Sequence, residues 1–224
     1  MVSLRCYNSV KTGCKEGLFK MRILGLVLLT AFILSACTQQ DAQTQVAESI
    51  QQNVPAFYGS DISKEGLGGD FTLIRGNNQP FGLQDLRGKV VILAFGFTHC
   101  PDVCPTGLAT YADVLKQLGQ QAREVAVVFV SVDPQRDTPE LTDKYVRLFH
   151  EDFIGLSAKS EQDIEAVKQL YRIQAVKVPL KEGDYTVDHT AGTYLLNRNG
   201  QAIVFEPYGK TATEIADDVK ILLK

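Results

Sequence analysis

Residues 90–105 read VVILAFGFTHCPDVCP, and this stretch decides the fold class. Its first half is an uninterrupted apolar run, which predicts a strand buried on both faces. Cys100 and Cys104 follow that strand directly. Beyond them, apolar residues recur at helical spacing to about Gly119, which predicts a helix. The sequence therefore predicts a central strand, a cysteine-bearing loop and a helix in succession.

Further strands and helices are predicted on both sides of this stretch. The other predicted strands lie at residues 71–74, 80–83, 125–132, 186–196 and 201–205. The other predicted helices lie at residues 138–149, 161–171 and 211–223. The first of these helices is capped at its start either by Asp137 or by Thr138. The order hairpin, β, α, β, α, α, β, β, α matches an α/β, thioredoxin-like fold: a central mixed sheet flanked by helices, with an N-terminal β-hairpin.

The composition indicates one globular domain with additional segments. The chain has 224 residues, of which 45% are hydrophobic and 22% charged. A single hydrophobic core of this size is feasible without stabilising disulfides or metal ions. The formal net charge is -3, and no basic stripe with interleaved aromatic residues occurs, which excludes a nucleic-acid-binding protein. The polar, glutamine-rich residues 38–57 predict a tether, and residues 58–224 are the predicted domain.

The N-terminal residues 1–36 are interpreted as a signal peptide. Residues 23–36 read ILGLVLLTAFILSA, an uncharged run shorter than the ~20 residues of a membrane span. The run ends in LSAC, which resembles a bacterial lipobox, so residues 37–57 are expected to be a tether lipidated at Cys37. Met21 stands just before the run and is an alternative start. A short membrane anchor is the other interpretation.

Cys100 and Cys104 are candidate metal ligands and a candidate redox pair. Side chains four apart share one face of a helix, and a helix N-terminus lowers the pKa of a nearby thiol. Thiolates are the soft ligands that Cu(I) and Zn(II) prefer. In an oxidising, exported compartment the same pair tends towards a disulfide unless a metal ion or a reductase intervenes.

A third metal ligand has to come from elsewhere, and the chain holds three histidines. His99 neighbours Cys100 and is expected to point away from the cysteine pair. His150 ends a predicted helix, where the helix dipole favours a histidine. His189 stands just before the Tyr194–Leu196 stretch of a predicted strand. In a thioredoxin-like fold the loop before this strand lies beside the cysteine loop, so His189 is the expected third ligand. Two sulfurs and one imidazole suit copper in both oxidation states.

Three separated motifs resemble those of the Sco/SenC family. They are residues 95–105 (FGFTHCPDVCP), 130–138 (VSVDPQRDT) and 187–190 (VDHT). The resemblance covers roughly residues 65–224 and implies a thioredoxin fold that binds Cu(I) or Cu(II) through Cys100, Cys104 and His189. It also implies that the protein delivers copper to the CuA centre of cytochrome c oxidase subunit II, or keeps that site reduced. Asp133-Pro134 is expected to serve the geometry of the loop beside the site.

The function predicted from this resemblance is that of a copper metallochaperone, which transfers metal rather than turning over a substrate. A thiol–disulfide reductase that uses Cys100 and Cys104 is the second hypothesis, and a copper or redox sensor is the third. His189 separates the first two, because a reductase has no evident need of it. A peroxiredoxin-type peroxidase is disfavoured, because no accompanying threonine and arginine can be assigned.

The resemblance also bears on location. Many members of the family are held in a membrane by a transmembrane helix, whereas a lipid on Cys37 is the expected anchor here. We therefore expect a membrane-anchored lipoprotein of the bacterial cell envelope that faces the periplasm. Its soluble domain is expected to be monomeric.

Overall fold

The structure is a computed structural model that describes residues 56–224. The predicted signal peptide, the predicted lipid site Cys37 and residues 37–55 of the predicted tether lie outside the described residues. Among the residues described, no helix is both long enough and apolar enough to cross a membrane.

The described part of the chain contains strands, α-helices and short 3-10 helices. The strands are β1 (Ser60–Asp61), β2 (Thr72–Arg75), β3 (Pro80–Gly82), β4 (Val90–Gly96), β5 (Val125–Ser131), β6 (Ile154–Ser157), β7 (Ala175–Pro179), β8 (Tyr185–His189), β9 (Gly192–Leu196) and β10 (Ala202–Pro207). The α-helices are α1 (Val103–Leu118), α2 (Pro139–Val146), α3 (Glu161–Leu170) and α4 (Ala212–Leu223). Short 3-10 helices lie at Leu83–Leu86, Gly119–Glu124 and Lys181–Gly183.

Eight of these strands form one mixed sheet in the order β1-β10-β9-β4-β5-β6-β2-β3. Strands β4, β5 and β6 run parallel, whereas β9 joins β4 and β2 joins β6 in antiparallel fashion. The predicted N-terminal hairpin is formed by β2 and β3 at one edge of the sheet. Strands β7 and β8 pair with each other in a second, two-stranded sheet. A central mixed sheet flanked by helices confirms the predicted fold class.

The central strands β4 and β5 separate two apolar layers. Every residue of both strands is buried, as the continuous apolar runs predict. Successive residues of β4 point to opposite layers: Ile92 packs in the layer with α1 and α4, and Leu93 packs in the layer with α3. Burying apolar surface stabilises the folded state by roughly 25 cal/mol per Å². The loop that follows β4 is therefore attached to a well-packed strand.

The strand predicted over residues 186–196 is wrong in one respect: it is two strands. Strand β8 ends at His189 and β9 begins at Gly192, and the two belong to different sheets. The chain changes sheet at Thr190, whose N–H donates at 2.9 Å to the carbonyl oxygen of Gln174, the residue before β7. Gly192 lies at this change of sheet, but the sequence analysis treated residues 186–196 as one strand.

Strands β1, β6 and β7 are absent from the sequence prediction. Strand β6 is short and contains Gly155, where a Cβ would lie 2.5 Å from Thr142 O, so the glycine is needed for α2 to pack on the strand. Strand β7 ends in Pro179 and is largely exposed, which is atypical of a strand.

The prediction for α2 is corrected at its end and settled at its start. The helix ends at Val146 rather than residue 149, because the amides of Leu148 and Phe149 bond three residues back in a tightened final turn. Thr138 is the N-cap, and its hydroxyl accepts the Leu141 N–H at 3.2 Å. Asp137, the alternative cap, is buried, and its carboxylate accepts the Thr98 N–H instead.

Candidate metal centre

The cysteine loop lies at the carboxyl end of β4. Helix α1 begins at Val103, so Cys104 lies in its first turn and Cys100 lies in the loop before it. The loop folds back on itself where Cys100 N–H donates to Phe97 O at 3.2 Å. The two cysteines are therefore brought together by the loop rather than by one helical face. Cys104 is buried, and Cys100 is partly exposed.

The structure brings Cys100, Cys104 and His189 together. The two sulfurs and an imidazole nitrogen of His189 all lie within 4.8 Å of one another, and Cys104 Sγ is 3.6 Å from His189 Nε2. His189 is the last residue of β8, so the small sheet carries the third donor to the cysteine loop. Both cysteines are free thiols here, and their disulfide stays a prediction.

The other two histidines lie outside this group of donors. The His99 ring is half-exposed and its Nδ1 lies 3.1 Å from the Thr98 hydroxyl, in the loop beside the cysteines. His150 lies beyond the end of α2, where its Nδ1 accepts the Asp152 N–H at 3.2 Å. Each therefore has a local structural role.

The imidazole of His189 is oriented through its other nitrogen. His189 Nδ1 lies 3.0 Å from Thr190 O, which can only accept a hydrogen bond. In the neutral ring Nδ1 therefore carries the proton, and the lone pair of Nε2 faces Cys104. A backbone carbonyl that holds one ring nitrogen in this way is common among metal-binding histidines. The buried ring of Phe97 packs edge-on against the imidazole, with centroids 5.9 Å apart.

The two thiols differ in acidity because one donates to the other. A hydrogen bond from the Cys104 thiol lowers the pKa of Cys100 to about 5, and the backbone N–H groups of Asp102 and Cys104 add to this effect. The same hydrogen bond, together with burial, raises the pKa of Cys104. Cys100 is thus a partly exposed thiolate at neutral pH and is the sulfur that an incoming metal ion or partner cysteine meets first.

The sulfur of Cys104 occupies the space left by a missing side chain at Gly96. A Cβ at this position would lie 2.5 Å from Cys104 Sγ and 2.8 Å from the Phe129 ring. Gly96 is the last residue of β4, so the strand approaches the first turn of α1 closely there. The glycine lies within one of the three sequence motifs, but the sequence analysis assigned it no role.

A second residue that the sequence analysis missed is Asp137, which holds the start of the cysteine loop. Its carboxylate is fully buried and accepts the Thr98 N–H at 2.8 Å, the Thr98 hydroxyl at 2.6 Å and the Ser131 hydroxyl at 2.7 Å. Hydrogen bonds to a charged group are worth about 1.5–3 kcal/mol each. Asp137 was considered as a helix cap because a buried carboxylate and a capping one look alike in sequence.

The donor set fits copper. Two sulfurs and one imidazole nitrogen are soft to intermediate donors, which suit Cu(I) and also accommodate Cu(II). A structural zinc site usually has four protein ligands, and among residues 56–224 this group offers three. Cys100 and His189 are each partly exposed, so a partner can reach the donors. The arrangement can thus hold a metal ion and exchange it.

The chain matches known proteins over the part that forms this site. A family model described as SCO1/SenC matches residues 59–224. A relative described as Protein SCO1 homolog 1, mitochondrial, from Arabidopsis thaliana is 38% identical over 165 residues, which are 73% of this chain and 48% of that protein. This chain therefore spans about half the length of that relative.

Two solved structures share the fold. Bradyrhizobium japonicum ScoI with copper bound is 42% identical, with a TM-score of 0.65, and the match covers 70% of this chain and 99% of that one. A SCO1/SenC family lipoprotein from Bacillus anthracis str. Ames is 28% identical, with a TM-score of 0.63, and the match covers 75% of this chain and all of that one, 100%.

Proposed function

The chain belongs to the SCO1/SenC family, and from that premise we propose that it is a copper metallochaperone that supports assembly of the CuA centre of cytochrome c oxidase. The observation that carries this proposal is the convergence of Cys100, Cys104 and His189 within 4.8 Å at an accessible edge of the fold. These three residues are the proposed ligands, and copper is the cargo rather than a resident cofactor.

Each proposed ligand has a distinct role in capture and release. Cys100 is the partly exposed thiolate that receives the metal ion. Cys104 is the buried sulfur that holds the ion against the protein, and His189 presents the lone pair of Nε2 from a separate strand. Copper bound in this way can pass to a partner by exchange of one sulfur ligand at a time. The copper-bound Bradyrhizobium protein supports the same cargo here, because the two chains share the fold and 42% identity.

A thiol–disulfide reductase is the second candidate function, favoured by the lowered pKa of Cys100. The Cys100 thiolate would attack a partner disulfide, forming a mixed disulfide and releasing one partner thiolate. Cys104 would pass its proton to that thiolate and attack the Cys100 sulfur. This attack would release the second partner sulfur as a thiolate, which takes a proton from water. The partner would leave as a dithiol with two added electrons, and this chain would hold the Cys100–Cys104 disulfide.

The proposal extends to the organisation of the chain. Residues 1–36 would be a signal peptide removed before Cys37, residues 37–57 a lipidated tether, and residues 58–224 a monomeric domain facing the periplasm. The similarity to a SCO1/SenC family lipoprotein from Bacillus anthracis supports the lipid anchor. Mass spectrometry of the N-terminal peptide tests it: diacylglycerol on Cys37 is expected, and a longer, unmodified N-terminus would contradict it.

The function is tested by titrating the reduced domain, from residue 58 onward, with Cu(I) under anaerobic conditions against a competing chelator. We expect one copper per chain, loss of tight binding in Cys100→Ser, and an affinity at least about tenfold lower in His189→Ala, since even outer-shell changes cost 10–100-fold. His150→Ala, a histidine change outside the donor group, is the control and should bind as the unaltered domain does. Binding that is weak, or indifferent to His189, would leave the reductase as the better description.

A further inference from the structure

The strand that carries His189 stands apart from the central sheet. Strands β7 and β8 form their own two-stranded sheet, and most of their residues are exposed or partly exposed. Val187 is the buried residue of β8 that packs into the core. An isolated two-stranded sheet is marginally stable in water. The position of His189 therefore depends on how this small sheet is fastened to the domain.

Asp133, Arg136 and Tyr185 provide such a fastening, and we refer to these three residues as the clamp. Arg136 Nη1 donates to Tyr185 O at 2.7 Å, and Arg136 Nε donates to Asp133 Oδ2 at 2.6 Å. The Tyr185 hydroxyl completes the ring of contacts by donating to Asp133 Oδ1 at 2.8 Å. Asp133 and Arg136, in the loop after β5, thus hydrogen-bond to the side chain and the backbone of Tyr185, the first residue of β8.

The surroundings make these contacts strong. The Asp133 carboxylate is fully buried, at 0% exposure, and is held between a guanidinium and a phenol. The guanidinium carbon of Arg136 lies 3.7 Å from the centre of the Tyr185 ring, a short cation–π contact. Burial and the hydrogen bond to Asp133 raise the pKa of Tyr185 to about 12, so the phenol keeps the proton that it donates.

The same arginine also lies near the ring that packs on His189. The Arg136 guanidinium is 5.7 Å from the centre of the Phe97 ring, whose edge-on partner is the imidazole. Two further ion pairs lie at the small sheet, Arg136 with the exposed Asp184 just before β8 and Lys177 with Glu161. Exposed pairs of this kind contribute little. The clamp therefore joins β8 to the loop after β5 through buried and partly buried side chains, in addition to the pairing of β8 with β7.

We propose that Asp133, Arg136 and Tyr185 position His189 against the cysteine pair, so that opening of this clamp withdraws the imidazole and leaves copper on the two sulfurs alone. They are positioning residues, since none of them belongs to the donor group. Their effect on copper rests on the function proposed above, whereas their effect on the small sheet does not. Release to a partner would then follow the opening of the clamp.

The clamp is tested first in the metal-free domain by hydrogen exchange of the β8 amides. In Tyr185→Phe we expect exchange to rise roughly tenfold or more, which corresponds to one lost hydrogen bond to a charged group. Tyr145→Phe is the matched control, because the Tyr145 hydroxyl is buried and has no hydrogen-bond partner among residues 56–224. Arg136→Gln should raise exchange further. Equal exchange in Tyr185→Phe and Tyr145→Phe would overturn the clamp.

The route through His189 is tested by the rate at which the copper(I)-loaded domain transfers its metal to excess chelator. Transfer should be roughly tenfold faster in Tyr185→Phe, in proportion to the population of the open clamp. The same change introduced into His189→Ala should have no further effect, and an equal acceleration in both backgrounds would overturn the proposal. If His189→Ala alone leaves transfer unchanged, the proposed ligand set fails and so does the clamp's role in release; the exchange measurement separates that failure from failure of the clamp itself.

Discussion

Cys100 and Cys104 of the metal centre carry the same thiol group, but their surroundings differ. Cys100 has room and backbone N–H donors around it, whereas Cys104 is buried beneath it and donates to it. One sulfur is therefore poised to react and the other to retain its proton. The inequality depends on where the Cys104 sulfur lies, and Gly96 leaves the space for it.

Replacing Gly96 with alanine should disturb the metal centre directly. The added Cβ would lie 2.5 Å from Cys104 Sγ, so the sulfur or the strand has to move. We expect Gly96→Ala to lower copper(I) affinity about tenfold or more, and to lower the free energy of unfolding by about 1–3 kcal/mol as an overpacked core does. Competition titration and chemical denaturation measure the two effects.

Gly107→Ala is the matched control for this substitution. Gly107 lies in α1, where a Cβ would meet nothing nearer than the Tyr111 hydroxyl at 3.3 Å. This variant should bind copper as the unaltered domain does. Gly96→Ala with unchanged copper affinity would show that the close approach of β4 to Cys104 has no bearing on metal binding.

The strands and helices that were predicted well are those in which the pattern of apolar residues indicates which positions are buried. Strands β4 and β5 are continuous apolar runs, and α1 and α4 show a clear helical period, so each was located to within a few residues. Strands β1, β6 and β7 were missed because β1 has two residues, β6 has four with a glycine among them, and β7 is largely exposed. Strand β1 pairs with β10 and β6 pairs with β5, which are distant in sequence, whereas β7 pairs with the next strand, β8.

The candidate site shows the same division. The cysteine pair and His189 could be proposed from residue type, spacing and resemblance, and the structure brings them together. Asp133 was expected to serve the geometry of the loop beside the site, but its contacts with Arg136 and Tyr185 could not be predicted. The role of Asp137 could not be predicted either, because a buried carboxylate that orders a loop has no signature until the loop is folded. The change of sheet at Thr190, which places His189 on its own small sheet, was hidden for the same reason.

At the scale of the whole molecule, Glu206 and Asp218 join distant parts of the domain. Asp218 of α4 accepts hydrogen bonds from the N–H groups of Tyr58 and Gly59, which lie close to the first described residue. Glu206 of β10 lies beside Asp218, is 1% exposed, and has no hydrogen-bond donor for either carboxyl oxygen among residues 56–224. Burial and the neighbouring Asp218 raise the pKa of Glu206 to about 8.

This carboxyl group should make the stability of the domain depend on pH. The unfolded chain ionises Glu206 near pH 4.5, whereas the folded domain keeps the proton up to about pH 8. The folded state therefore binds more protons in that window, and the free energy of unfolding falls as pH rises through it, by an amount on the order of a few kcal/mol. Below pH 4.5 the contribution of the protonated Glu206 to the free energy of unfolding is fully present, and above about pH 8 it no longer changes.

Denaturant unfolding at pH 5 and at pH 8.5 measures this contribution. Glu206→Gln removes the titrating group and should lose less stability between the two pH values than the unaltered domain does. Glu65→Gln, at an exposed position, is the control and should follow the unaltered domain. Parallel pH dependence in all three proteins would mean that Glu206 is ionised in the folded state.

The central claim is that one copper ion is held jointly by Cys100, Cys104 and His189, and X-ray absorption spectroscopy of the copper(I)-loaded domain tests it most directly. We expect the fine structure to require two sulfur neighbours and one histidine nitrogen, and we expect the nitrogen contribution to disappear in His189→Ala while both sulfurs remain. A copper ion with sulfur neighbours alone, or with a histidine contribution that survives His189→Ala, would contradict the account.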